Sequence, residues 1–100
     1  MQRGGCVYIM TNKFRTVLYI GVTSDLCGRI QEHLEHFYPT SFTAKYKCEI
    51  LIYYEHFDSI EEAITREKEI KKWRREKKEN LINTTNPLWK NLWNEVKNDD

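Results

Sequence analysis

Cys6-Val7-Tyr8-Ile9-Met10, the polar link Thr11-Asn12-Lys13-Phe14-Arg15-Thr16 and Val17-Leu18-Tyr19-Ile20-Gly21-Val22 read as two short β-rich runs joined at hairpin length. Working outward, Ser24-Asp25 offers an N-cap, and Leu26, Ile30, Leu34 and Phe37 recur at helical spacing, which predicts an amphipathic helix over residues 25 to 37 that stops before Pro39. Arg29 and His33 lie four apart on its flank. After a polar stretch, Thr40 to Lys47, the run Glu49 to Phe57 reads as a third strand, apolar on both faces and so expected at the centre of the sheet. Ser59 and Glu62 form a capping box for a second helix, with Ile60, Ala63, Ile64, Glu67 and Ile70 on one face. That helix is expected to continue through the charged segment toward Leu81 and Ile82, with a bend near Trp73. Asn86-Pro87 reads as N-cap and N1 proline of a last short helix whose docking face is Trp89, Leu92, Trp93 and Val96. The tail, Lys97 to Asp100, is polar and expected to fray.

Bulk properties bound the function. With 100 residues, 40% hydrophobic and 13% aromatic, the chain fits one domain with a single core, so any reactive site must share that core. The 16 Lys and Arg are nearly balanced by 15 Asp and Glu, and a net charge of +1 makes only local clustering an argument for a nucleic-acid partner. No signal peptide and no membrane span are expected. Cys6, Cys27 and Cys48 lack paired spacing and sit in apolar patterns, which reads as reduced thiols in a cytoplasmic protein.

Five residues could carry chemistry. Glu67 falls inside an apolar helical stripe, where a carboxylate is costly unless it is paired or binds a metal. Arg29 and His33 are one helical turn apart and can lean over the same patch of sheet. Tyr8 and Tyr19 lie on adjacent strands, and a phenol with a usual pKa of about 10 acts as a base only beside a cation, a metal or an imidazole. An activated water, a cation against phosphate and a carboxylate for a divalent metal are what phosphodiester cleavage needs. The expectation is that these side chains line one cleft; a carboxylate on the opposite side of the molecule from the guanidinium would end the enzymatic reading. Residues 66 to 78, with Lys68, Lys71, Lys72, Arg74 and Arg75 around Trp73, are the candidate phosphate-tracking helix, diluted by Glu67, Glu69 and Glu76.

These residues, in this order, resemble the GIY-YIG nuclease superfamily, in the form of a small stand-alone bacterial member. Val7-Tyr8 fits the end of the first family triplet, and Tyr19-Ile20-Gly21 reproduces the second. Gly28-Arg29 with His33 resembles the arginine helix, Ala63 to Lys71 the segment of the metal-binding glutamate, and Asn86-Pro87-x-Trp89 the C-terminal motif of the short members. Cys6 departs from the glycine opening the first triplet, and Asn80, Asn83 and Asn86 compete for the family's late asparagine. The resemblance covers about residues 6 to 93 and implies a single domain of α+β class, a three-stranded antiparallel sheet flanked by helices, and endonucleolytic hydrolysis of DNA with one Mg²⁺ or Mn²⁺ ion. It implies Glu67 as metal ligand and Arg29 as phosphate contact, with Tyr8 deprotonating or orienting the water and Tyr19 and His33 tuning it. Structure-specific cleavage in DNA repair or recombination is the expected setting, with a partner protein as a source of specificity. The competing expectation is a catalytically weak or inactive nucleic-acid or protein-binding module that uses the basic helix 66–78.

Overall fold

The computed structural model describes residues 4–36 and 38–97. Phe37, the last apolar position expected for the first helix, and the end of the polar tail lie outside the described residues. Strands β1 (Gly5–Thr11) and β2 (Leu18–Thr23) form the hairpin, with Tyr8 opposite Gly21 and Met10 opposite Tyr19. Strand β3 (Ile50–Phe57) pairs antiparallel with the other side of β1, with an irregularity at Ile9/Met10, so the sheet order is β2-β1-β3.

The central strand is therefore β1, not the Glu49–Phe57 run. Every residue of β1 is buried, whereas β3 is half-buried or exposed from Tyr54 onward. An apolar strand on both faces reports covering layers above and below, not a strand on each side. The outer edge of β3 is closed by the chain near its end, where Leu92 N donates to Leu51 O at 2.8 Å and Leu51 N donates to Asn91 Oδ1 at 3.4 Å.

Helices cover both faces, as strict alternation along β1 requires. Cys6, Tyr8 and Met10 meet Leu26 and Ile30 of α1 (Leu26–Leu34), Leu51, and Val96 of α5 (Trp93–Lys97). On the opposite face Val7 and Ile9, with Ile20 of β2, meet Ala63 and Ile70 of α3 (Ile60–Lys71) and Ile82 of α4 (Arg75–Thr85). A one-turn helix, α2 (Phe42–Lys45), lies within the stretch expected to be an irregular polar link. None of the helices among the described residues is long and apolar enough to cross a membrane.

Three expectations are corrected. Helix α1 ends at Leu34, ahead of residue 37, because His36 turns into positive φ (52°). The basic segment 66–78 is not one helix. It breaks at Lys72-Trp73-Arg74, where Lys72 N and Trp73 N close onto the carbonyls of Glu69 and Ile70 and Arg74 is extended. That turn carries Trp73 into the lower core cluster. Asn86 is the C-cap of α4, not the N-cap of the last helix, which starts only at Trp93. The buried Asn86 amide donates to Ile52 O (3.0 Å) and Lys90 O (2.9 Å) while its Oδ1 accepts from Lys90 N (3.0 Å), so its hydrogen bonds tie the 86–90 loop to β3. Trp89, at φ 53°, sits in that loop and packs on the lower cluster, separately from Leu92, Trp93 and Val96.

Candidate active site

Tyr8 is fully buried on the upper face of the central strand, and its ring runs across β2 over Gly21. A Cβ on Gly21 would lie 2.4 Å from Tyr8 Cζ and 2.5 Å from its oxygen, so the second triplet ends in glycine because the phenol occupies that space. The phenol oxygen is 2.8 Å from His33 Nε2, which α1 presents from above. The other ring nitrogen, His33 Nδ1, is 2.8 Å from Thr43 Oγ1 of α2. With Nδ1–H donating to Thr43, Nε2 accepts from the Tyr8 hydroxyl; the opposite tautomer reverses both bonds. Thr43 Oγ1 lies 3.2 Å from Ser41 Oγ, which also caps α2 by accepting from Ala44 N. The hydroxyl and imidazole groups thus form a continuous buried chain reaching toward the surface.

Tyr19 flanks this chain. Its ring centroid is 6.1 Å from that of Tyr8 and 5.6 Å from that of His33, and Phe42 of α2 stacks on it at 5.9 Å and 28°. Arg29, one turn before His33, is half-buried; it bonds Glu32 at 3.1 Å and lies 5.6 Å from the Tyr38 ring. Asp25, Gly28, Arg29, Glu32 and Tyr38 line an open pocket of about 440 Å³ beside β2.

The electrostatics separate the roles. Burial pushes the Tyr8 phenol up and Tyr19 adds to it; Arg29 pulls the other way without overcoming them, so Tyr8 is neutral near pH 7 and suited to orienting a partner. Burial, reinforced by the Arg29 charge and opposed by Glu32, lowers His33 to about 4, so its imidazole is also neutral. Burial works against the Arg29 charge, but hydrogen bonding to Tyr8 and Glu32 outweighs it and holds the guanidinium above its ordinary value. A permanent cation beside the neutral Tyr8 phenol and a neutral imidazole can receive a phosphate and stabilise charge developing on it.

Glu67 is placed differently. It is 9% exposed on α3, and its neighbours Ala63 and Ile70 pack against the lower face of the sheet, opposite Tyr8 and Arg29. Its carboxylate pairs with Lys71 Nζ at 2.8 Å. Tyr8, Tyr19, Arg29 and His33 are thus neighbours in one layer, and Glu67 belongs to the other. Among the described residues no three His, Cys, Asp or Glu side chains are grouped to hold a metal. A hard cation held by one carboxylate and completed by water and phosphate oxygens is still ordinary for Mg²⁺, and a nearly buried carboxylate with one lysine at its rim fits that donor set.

The basic residues divide as well. Arg75 donates to Thr16 O (2.6 Å), Arg15 O (2.9 Å) and Glu79 Oε2 (2.9 Å), clamping the hairpin link onto α4. Lys71 faces Glu67, while Lys68 and Lys72 with Trp73 line an open pocket of about 490 Å³ and Arg74 is exposed at the helix break. The polar-link reading of residues 40–47 missed Ser41, Phe42 and Thr43; a serine cap followed by aromatics four apart at Phe42 and Tyr46 was the available signal. Compared with models of known families, residues 4–80 match the GIY-YIG catalytic domain. No curated protein and no solved structure matches the chain.

Proposed function

Since this chain belongs to the GIY-YIG family, whose domain supports a nuclease-type function in general, we propose that it is a DNA endonuclease dependent on one Mg²⁺ or Mn²⁺ ion. The observation that carries the reading is the contact of Tyr8 with His33 beside the Arg29 guanidinium. Arg29 exchanges Glu32 for a phosphate oxygen, and the Arg29 charge then opposes the negative charge that builds on the phosphorus oxygens. Tyr8, held by His33, directs a hydrogen bond at the attacking water, and Tyr19 walls the same space. When bound, the metal ion supplies Lewis acidity and a water of lowered pKa.

Glu67 is the ligand in this reading. It requires the carboxylate to leave Lys71 and reach the β2 edge from below, where Tyr8 crosses Gly21 from above. Two features support this: β2 is an outer strand of the sheet, and α3 packs chiefly under β1 and β2. The test is incubation of plasmid and branched DNA with Mg²⁺ or Mn²⁺, comparing wild type with Glu67→Ala and Arg29→Ala. Metal-stimulated nicking lost in both variants supports hydrolysis here; nicking unchanged in both assigns it to a contaminant. A structure-specific role in repair or recombination is the setting that this activity would serve.

One observation favours a second reading, a nucleic-acid-binding module without hydrolysis: Glu67 is engaged by Lys71 in the layer away from Arg29. Under it, DNA binding persists in Glu67→Ala while the purified wild type releases no nicked product with either metal.

A further inference from the structure

We infer that the one-turn helix α2 and its flanks are a stacking platform for unpaired nucleotides beside the Arg29 phosphate seat, so that the preferred substrate carries a single-stranded segment next to the cut. This deepens the reading above and rests on it for the position of the cut.

Three of the large apolar side chains most open to solvent fall within residues 38–46: Tyr38 at 49%, Phe42 at 46% and Tyr46 at 42% exposure. Phe42 and Tyr46 are 4.6 Å apart between ring centroids, and Phe42 in turn stacks on Tyr19, so an aromatic ladder runs from solvent to the Tyr8–His33 pair. Packing alone would bury such rings, because leaving two of them about half in water forfeits much of their transfer free energy.

Cations flank the exposed rings. Lys45 Nζ lies 5.4 Å from the Tyr46 ring, and Arg29 lies 5.6 Å from the Tyr38 ring. Exposed rings interleaved with cations, next to the candidate phosphate seat, are complementary to a strand that offers bases and phosphates together. A base paired within a duplex has both faces stacked already and cannot use these rings. The commitment is therefore to unpaired bases, and a protein partner is an outcome of the test.

The experiment measures binding in EDTA, where no cleavage can interfere, using a fluorescein-labelled 15-mer of thymidine and a blunt duplex of equal length. Wild type is expected to favour the single strand. Phe42→Leu, which keeps apolar bulk against Tyr19, and Tyr46→Leu, which keeps it against Phe42, should each weaken single-strand binding about tenfold while changing duplex binding less than twofold. Equal losses on both probes, no loss on either, or no single-strand preference in wild type would overturn the platform. Should the leucine variants melt early, photocrosslinking of a bromodeoxyuridine-substituted strand to wild type decides: adducts within residues 41–47 support the proposal, and adducts confined to 66–78, or none to the nucleic acid, refute it. Single-strand binding that passes these tests without metal-dependent cleavage sinks the nuclease reading and leaves the platform standing.

Discussion

Acidification should destabilise this protein through His33, by an amount that can be isolated. The imidazole is ordinarily half-protonated near 6.5 and falls to about 4 in the folded state, chiefly through burial. The unfolded chain therefore binds the proton first. Its stabilising contribution is complete above 6.5, erodes as the pH drops below that, and is gone once the pH passes below 4. With His33 only 8% exposed, solvent screening takes little from the effect. Between pH 7.5 and 4.5 the loss is about 2–3 kcal/mol, a large share of what a 100-residue domain possesses. The assay is urea unfolding at both pH values for wild type and for His33→Gln, which keeps an amide within reach of Tyr8 and Thr43. All other ionisable groups are common to the two proteins and cancel in the difference. Wild type should lose about 2–3 kcal/mol more than the variant over this interval. Equal losses, or an NMR titration of the His33 ring with a midpoint near 6.5, would refute the reasoning.

Other outcomes follow from the same geometry. Gly21→Ala forces a methyl to 2.4 Å from the Tyr8 ring, so thermal unfolding should show a loss of about 1–3 kcal/mol and any cleavage should fall with it. Glu32→Gln removes the half-exposed partner of Arg29, and fluorescence anisotropy should show DNA bound a few-fold more tightly. Lys71→Met releases the Glu67 carboxylate; Mn²⁺ affinity by electron paramagnetic resonance should rise, whereas Glu67→Gln should abolish it. Arg75→Ala should cost about 1–2 kcal/mol in urea unfolding and leave DNA affinity within twofold, because that guanidinium is spent on the carbonyls of Arg15 and Thr16.

Much of this fold is legible from local pattern. The two β-rich runs, the Asp25 and Ser59 caps and the α3 stripe are decided by neighbours in sequence, and each is present: Asp25 accepts from Gly28 N, and Ser59 accepts from Glu62 N. The misread elements are those settled at long range. Whether Asn86 caps a helix or ties a loop depends on Ile52, 34 residues away. The centre of the sheet went to β1 because residues 91 and 92 close the far side of β3, which no period along β3 can announce. The break at Trp73 answers to the lower core and not to helix propensity, since Lys72 and Arg74 are good helix formers. At the site, spacing alone put Arg29 and His33 on one helical face. The layer of Glu67 depends on which side of the sheet α3 covers, and that is set by topology. Thr43 escaped notice because a lone threonine in a polar stretch carries no period.

Tyr8 belongs at once to the packed interior and to the reactive cluster. In a chain this small the two cannot be tuned apart: a substitution selected for melting temperature will register in turnover, and loosening the cluster for a new substrate will show up as thermal fragility. Diversification of such a protein is accordingly channelled outward, to exposed rim positions such as Lys45 and Tyr46, whereas Thr43 is tied to the phenol through His33.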